Sequence, residues 1–250
     1  MSDAQAGDEP RYPSTLAPAA YYSGLADRIT DNLLPVFSRL FSLASTRTVL
    51  ELASGDGLHS LVYSTAFPNL TFQPTECDTF NRNRIDETCR PVRANGGRGV
   101  EEAGTLDVMQ ESDWTELARS RTQSVGAQSS HFDLVIGHNF LHMIRFPEGP
   151  RSIFANLLKH DLVSRSHGLI AFYGPFKHDG GFYSTGDESF DKEISSRPSS
   201  YPLGLRSVDA LARIAAEEGF EHLEKVAMPK GNWVLIYKVR GGEHSRLQWT

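Results

Sequence analysis

The 250-residue chain predicts an α/β fold: one domain with a mostly parallel sheet and helices on both faces. Three observations carry this. Short apolar runs recur (TVLEL at 48–52, FDLVIG at 132–137, GLIAFY at 168–173). Segments with helical spacing separate them. Apolar residues make up 39% and charged residues 22%, enough to bury a core, and no composition break splits the chain.

In order along the chain, residues 1–15 are polar and proline-bearing and are expected to be disordered. They hold Asp3, Asp8, Glu9, Pro10 and Pro13 and no apolar core, so they are not a signal peptide. Leu33, Leu34, Phe37, Leu40 and Phe41 recur at helical spacing. They predict a helix over much of 22–43, broken or kinked at Pro35. Thr48–Leu52 reads as a strand, SGDG at 54–57 as a glycine turn and Leu58–Phe67 as a helix. Leu70–Thr75 follows as a strand, and Asn81–Cys89 as a helix that stops before Pro91. Gly104–Val108 reads as a short strand and Trp114–Ala118 as part of a helix, with surface loops at Asn95–Gly99 and Ser120–Ser130. Phe132–Gly137 and Gly168–Tyr173 are buried strands on either side of an amphipathic helix, Ile153–Leu162. Residues 174–206 are rich in Gly, Ser and Pro and read as a long insertion of the kind that covers an active site. Ser207 caps a last helix that Gly219 stops. His222–Ala227 and Trp233–Val239 are the final strands. The domain is placed at 16–240, with 241–250 as a tail.

The composition excludes several classes. Lys and Arg number 25 against 31 Asp and Glu, a net charge of −6, which argues against a protein built to grip nucleic acid. Two cysteines, Cys77 and Cys89, exclude a disulfide scaffold and an all-cysteine zinc site and fit a reducing compartment. No apolar run approaches the ~20 residues needed to span a bilayer. The expectation is a cytoplasmic protein with a small-molecule substrate, no membrane and no nucleic-acid partner. Its oligomeric state is not legible.

The strongest local signal is Glu51-Leu-Ala-Ser-Gly55-Asp-Gly57-Leu-His59, between a strand and a helix. Glycines there let the backbone pass close to a ligand, and the helix start offers free N–H groups. The carboxylates of Glu51 and Asp56 disfavour a phosphate and suit an amine or a sulfonium. Glu76 ends the second strand, with Asp78 beyond it, where a carboxylate can accept both hydroxyls of a ribose. Asp107 ends the third strand, where it can accept from an adenine amino group. In an open α/β sheet this edge is where ligands bind.

The strand–ELASGDG–helix unit, Glu76, LDV at 106–108 and FDLVIGHN resemble the class I, Rossmann-like S-adenosylmethionine-dependent methyltransferases. More closely, the chain is similar to a small methyltransferase-like family of formerly unknown function. APAA near 17–20, VLELASGDGLHS, LTFQPTECD, NFLHMI at 139–144, FYGPF at 172–176 and LGLRSVDALARIAAEEGF carry that similarity. The resemblance implies S-adenosylmethionine as cofactor and a seven-stranded sheet whose last strand, Trp233–Val239, is antiparallel. It places Glu51, Ala53, Ser54, Gly55 and Gly57 at the methionine end, Glu76 at the ribose, and Asp107 and Val108 at the adenine. The chain departs from the family at Ala53, which stands where a glycine is usual. It also departs at Arg28-Ile29, in place of Arg-Asn, and at Met228-Pro-Lys-Gly-Asn232, in place of M-P-A-N-N.

Asn139 and His142 follow the fourth strand, beside the expected methyl group. Asn139 is expected to hydrogen-bond the methionine part, and His142 is a candidate general base or a packing histidine. Tyr22 and Arg28 are candidates for closing the acceptor pocket. No metal is expected: His138 and His142 are four apart, but Asn139 stands where a zinc protease has Glu. Tyr173 and Lys177 match a dehydrogenase spacing, but Gly174 and Pro175 forbid the helix that chemistry needs. Tyr21, Tyr22, Tyr173, Phe176, Phe182 and Tyr183 form an aromatic set able to cap the site, at least half of which are expected to be core. The expected reaction is in-line methyl transfer to a small molecule. The alternatives are aminocarboxypropyl transfer or cyclisation, a rearrangement, or a non-catalytic cofactor-binding pseudoenzyme.

Overall fold

The computed structural model describes residues 24–43, 45–94, 99–126 and 130–243. Its strands are β1 (Thr48–Leu52), β2 (Thr71–Glu76), β3 (Gly104–Thr105), β4 (Leu134–His138), β5 (Leu169–Gly174), β6 (Lys177–His178), β7 (Gly181–Phe182), β8 (Phe220–Ala227) and β9 (Trp233–Val239). Seven of them form one sheet in the order β3-β2-β1-β4-β5-β9-β8, and β6 and β7 make a separate hairpin. β1 pairs in parallel with both β2 and β4, β4 with β5, and β9 is antiparallel to its neighbours β5 and β8. The expected α/β class and antiparallel last strand are therefore present. The chain leaves β1 in one direction for β2 and β3 and returns to its other side at β4. That reversal makes the β1/β4 boundary the switch point where a crevice opens.

Period-two alternation divides the core. Leu50, Leu52, Val135, Ile170, Phe172, Leu235 and Tyr237 face one side, and Val49, Leu134, Ile136, Ala171, Val234 and Ile236 the other. The first face is covered by α5 (Glu111–Val125), α6 (Glu148–Lys159) and α8 (Val208–Glu217). The second is covered by α1 (Leu25–Arg28), α2 (Leu34–Phe41), α3 (Leu58–Ala66) and α4 (Thr79–Ala94). A further helix, α7 (Thr185–Ser195), lies in the 174–206 insertion.

Several sequence expectations need correction. The helix over 22–43 is interrupted by a π-helical turn, Ile29–Leu33, just ahead of Pro35 in the first turn of α2. The wider turn accommodates the proline ring, so the expected kink takes this form. Tyr21 and Tyr22 lie outside the described residues, as do residues 1–15 and 95–98. α4 does not stop before Pro91 but runs through it. Its last turn is held by Arg93, which bonds Asp86 at 2.9 Å and the carbonyls of Val100 and Glu101 at 3.0 and 2.6 Å. One missing N–H near a helix end is outweighed by those contacts.

β3 ends at Thr105, not Val108, because the Asp107 carboxylate accepts from Met109 N–H at 3.0 Å and turns the chain. Helix α5 extends into the expected loop at 120–130, anchored by Arg121, whose guanidinium lies 4.6 Å from the Phe132 ring centroid. The 174–206 segment carries the β6–β7 hairpin and α7, with Ser184 capping α7 through Asp187 N–H at 3.1 Å. Ser207 caps α8 as expected, accepting from Ala210 N–H at 3.2 Å.

Candidate cofactor and acceptor cavity

The carboxyl ends of β1, β2 and β4 open onto a cavity of about 1250 Å³. That exceeds the roughly 300–1,000 Å³ of a pocket for one small molecule. Of the expected site residues, Arg28, Ala53, Ser54, Gly55, Glu76, Asp107, Val108, Asn139 and His142 line it. Glu51 and Gly57 are not among the lining residues, and Tyr22 is outside the described residues.

The turn after β1 is built from side chain to backbone. Ser54 N–H donates to Thr75 O at 2.9 Å, and Thr75 N–H donates to Ser54 Oγ at 3.1 Å. The turn is thereby stitched to β2. Ala53 has φ 51° and Gly55 φ 62°, so both occupy left-handed backbone. Among the described residues, a Cβ at Gly55 would meet nothing within 4 Å, so the turn presents bare backbone to the cavity. Gly57 has a different task. It caps α3 at φ 79°, and a Cβ there would come within 3.0 Å of Ile85 Cα. It lets α3 and α4 approach.

Glu76, 5% exposed, is held on three sides. Its Oε2 accepts from Gly55 N–H at 3.1 Å, and its Oε1 accepts from Cys77 N–H at 3.1 Å and the Cys77 thiol at 3.3 Å. Burial raises its pKa above the usual carboxylate value, and the Cys77 and Gly55 bonds oppose the rise. The Cys77 thiol is pushed up by burial and by the carboxylate beside it, which makes it unreactive. Asp107 is buried, its N–H bonded to Asp113 Oδ2 at 2.9 Å. Val108 O accepts from Trp114 Nε1 at 3.1 Å and from Ser152 Oγ at 2.5 Å, which locks the lip of the cavity onto α5 and α6.

Asn139, at φ 54°, donates its N–H to Tyr173 O at 2.8 Å. His142 sits in a 3₁₀ turn, Leu141–Met143, and meets the Phe190 ring edge-on at 5.4 Å. Burial, with Arg206 and Arg197, lowers its pKa to about 3. His138 and His142 therefore lie on different elements, not one helix face. Of the aromatic set, Tyr173 lines the cavity, whereas Phe176 is 2% exposed in the core.

Sequence reasoning missed several lining residues. Asp187, Phe190 and Glu193 come from α7, Arg197 from the turn just after it, and Lys230 and Asn232 from the β8–β9 turn. The S-T-G-D capping pattern at 184–187 marked the start of α7, but nothing local shows that the helix faces the cavity. His59 and His138 also line it. Their rings stack 4.1 Å apart at 11°, beside Glu51. Near-parallel ring planes share no point at the roughly 2.0–2.1 Å of a metal–nitrogen bond, so the trio is not arranged as a chelate.

Residues 21–239 match the family described as "Protein of unknown function (DUF938)". Among solved structures, the chain is similar to an O-methyltransferase family protein from Burkholderia thailandensis, with 18% identity over 88% of this chain and 60% of that one (TM-score 0.62). It is also similar to human N-acetylserotonin methyltransferase in complex with S-adenosylmethionine, with 10% identity over 88% and 55% (TM-score 0.61). A third is CalO1, a methyltransferase of calicheamicin biosynthesis in its S-adenosylhomocysteine-bound form, with 15% identity over 88% and 57% (TM-score 0.61). The chain thus spans 55–60% of the length of these proteins. At such identities the likeness is one of fold, the Rossmann-like fold of methyltransferases. Among the described residues, no helix is long and apolar enough to cross a membrane.

Proposed function

This chain belongs to the DUF938 family, and we propose that it is an S-adenosylmethionine-dependent methyltransferase acting on a small-molecule acceptor. One observation carries the reading. Glu76, Asp107 and the bare Ser54–Gly55 backbone, from three separate strand ends, converge on one cavity. The donor set fits the cofactor. Glu76 Oε2 keeps a lone pair beyond the one used by Gly55, which suits a ribose hydroxyl. Asp107 would accept from the adenine amino group, with Val108 against the ring. Asn139, Ala53 and Ser54 would hold the methionine part.

The cofactor, when bound, supplies a methyl group already activated on a sulfonium. The chain's own residues need only hold the two reactants close, aligned and dry. The volume beyond one ligand leaves room for an acceptor between Arg28, His142 and α7. His142 is neutral at physiological pH, the form that accepts a hydrogen bond from an acceptor. Its low pKa makes it a weak base, which favours an orienting role over proton removal.

Calorimetry with S-adenosylhomocysteine tests the reading. The wild-type chain is expected to bind, and Asp107→Ala to bind at least about tenfold more weakly with little loss of stability, as for one charge-assisted hydrogen bond. No heat with the wild-type chain would overturn it. Product analysis then tests the reaction: methyl transfer leaves S-adenosylhomocysteine, whereas aminocarboxypropyl transfer leaves methylthioadenosine.

A further inference from the structure

Glu51 lies directly behind His59 and His138 on the cavity wall. His138 Nδ1 is 3.4 Å and His59 Nδ1 3.6 Å from the same oxygen, Glu51 Oε1. The other oxygen, Oε2, accepts from Ser60 Oγ at 2.5 Å, and His138 Nε2 meets the Tyr63 hydroxyl at 3.1 Å. Among the described residues, Glu51 Oε1 and His138 Nδ1 have no hydrogen-bond partner, and their side chains are 1% and 2% exposed. A buried carboxylate oxygen left without a donor is electrostatically incomplete, and a positive charge in the adjoining cavity completes it.

We propose that Glu51, His59 and His138 form a cation subsite that retains one proton beside a neutral ligand and releases it to solvent beside a sulfonium, thereby preferring the charged cofactor to its thioether product. The inference rests on the S-adenosylmethionine reading and adds the discriminating group to it. No bond other than one O–H or N–H breaks, and the proton passes to the buffer. The carboxylate then stands opposite the ligand's positive charge, with the imidazoles between as neutral dipoles. Burial supports this: it raises Glu51 above the usual carboxylate value and lowers both imidazoles to about 3, so it disfavours charge on all three groups when no cation stands beside them.

The groups that face the trio are buried or engaged with partners of their own. From α3, Tyr63 is raised well above its usual value by burial. From α4, the Cys89 thiol is pushed up to about 12 by burial, with Arg93 opposing, and Arg93 is itself paired with Asp86 at 2.9 Å. Asp56 faces Arg84 at 4.0 Å, Tyr173 on β5 hydrogen-bonds Asn232, and Phe37 on α2 covers His138 with an apolar ring 5.0 Å away.

The test is calorimetry of the full chain with S-adenosylmethionine and with S-adenosylhomocysteine, in buffers of different ionisation enthalpy across neutral pH. The ammonium common to both ligands cancels, so the difference isolates the sulfonium. S-adenosylmethionine is expected to release more protons, and its affinity relative to the thioether to rise with pH by at most about tenfold per unit. Glu51→Gln and, independently, the partly exposed His59→Gln are expected to flatten that ratio. Equal proton release and a pH-independent ratio in the wild-type chain would overturn the inference and leave the cofactor reading standing. No heat with either ligand would overturn both.

Discussion

Gly55 N–H donates to Glu76 Oε2 at 3.1 Å, joining the turn after β1 to the end of β2. Both oxygens of Glu76 are thereby committed to backbone donors, since Cys77 N–H takes Oε1. A carboxamide offers one oxygen and one donor. In Glu76→Gln, either Gly55 N–H or Cys77 N–H must therefore face another N–H. The variant is expected to lose about 1–3 kcal/mol of unfolding free energy in urea titration. It is also expected to bind S-adenosylhomocysteine at least about tenfold more weakly, because the charge-assisted ribose contact is gone. Wild-type values in both measurements would show that this carboxylate neither braces the turn nor holds the ligand.

His142 should leave a mark on stability against pH. Its folded pKa is about 3, lowered by burial and by Arg206 and Arg197, whereas an unfolded histidine titrates near 6.5. Between those values only the unfolded chain is protonated there. The contribution is therefore fully present above pH ~6.5 and is lost as pH falls toward 3. His59 and His138 act in the same direction, and the raised pKa values of Glu51 and Glu76 act in the opposite one. His142→Gln isolates one group from this sum. Between pH ~6.5 and ~5, the variant's stability should fall less steeply than wild type, by a difference that grows to about 1.4 kcal/mol per pH unit toward pH ~5. Parallel urea midpoints across that range would refute the assignment.

The parallel sheet and the edge that carries the cavity were legible because their signals are local. β1 alternates sides within TVLEL, and the glycines at 55 and 57 mark a turn needing left-handed backbone. Burial and contact across the chain were not legible. Glu51 lies in the motif, yet it is walled off by His59, eight residues on, and by His138, on another strand. Pro91 inside α4 and the helical turns beyond Ser120 depend on Arg93 and Arg121 reaching distant partners. Propensity carries no record of such contacts. The 174–206 insertion read as loop because its Gly, Ser and Pro content outweighs the eleven residues of α7.

That insertion also sets the cavity wall around His142. Four consecutive carbonyls of the turn after β4 are satisfied by residues 201–206. Leu141 O accepts from Arg206 Nε at 3.1 Å, His142 O from Gly204 N–H at 3.1 Å, Met143 O from the Tyr201 hydroxyl at 3.1 Å, and Ile144 O from Arg206 Nη2 at 2.6 Å. Arg206 is 7% exposed, lies 5.1 Å from the Phe146 ring centroid, and keeps its charge at physiological pH although burial lowers its pKa to about 10. It is a positioning residue: it reaches the cavity only through the turn that carries His142. Arg206→Met keeps the apolar stem and strips the bonds from Leu141 O and Ile144 O, each worth roughly 1–3 kcal/mol when left unpaired. Urea titration is expected to show a loss of that order, and hydrogen exchange to quicken at the Gly204 and Met143 amides before those of β1 and β4. Binding of S-adenosylhomocysteine should be unchanged, because Glu76 and Asp107 lie on the other arm of the sheet, while KM for the acceptor rises. If cofactor affinity fell in step with stability and exchange quickened evenly through the sheet, Arg206 would be a general core residue, and the two halves of the cavity would not be separately built.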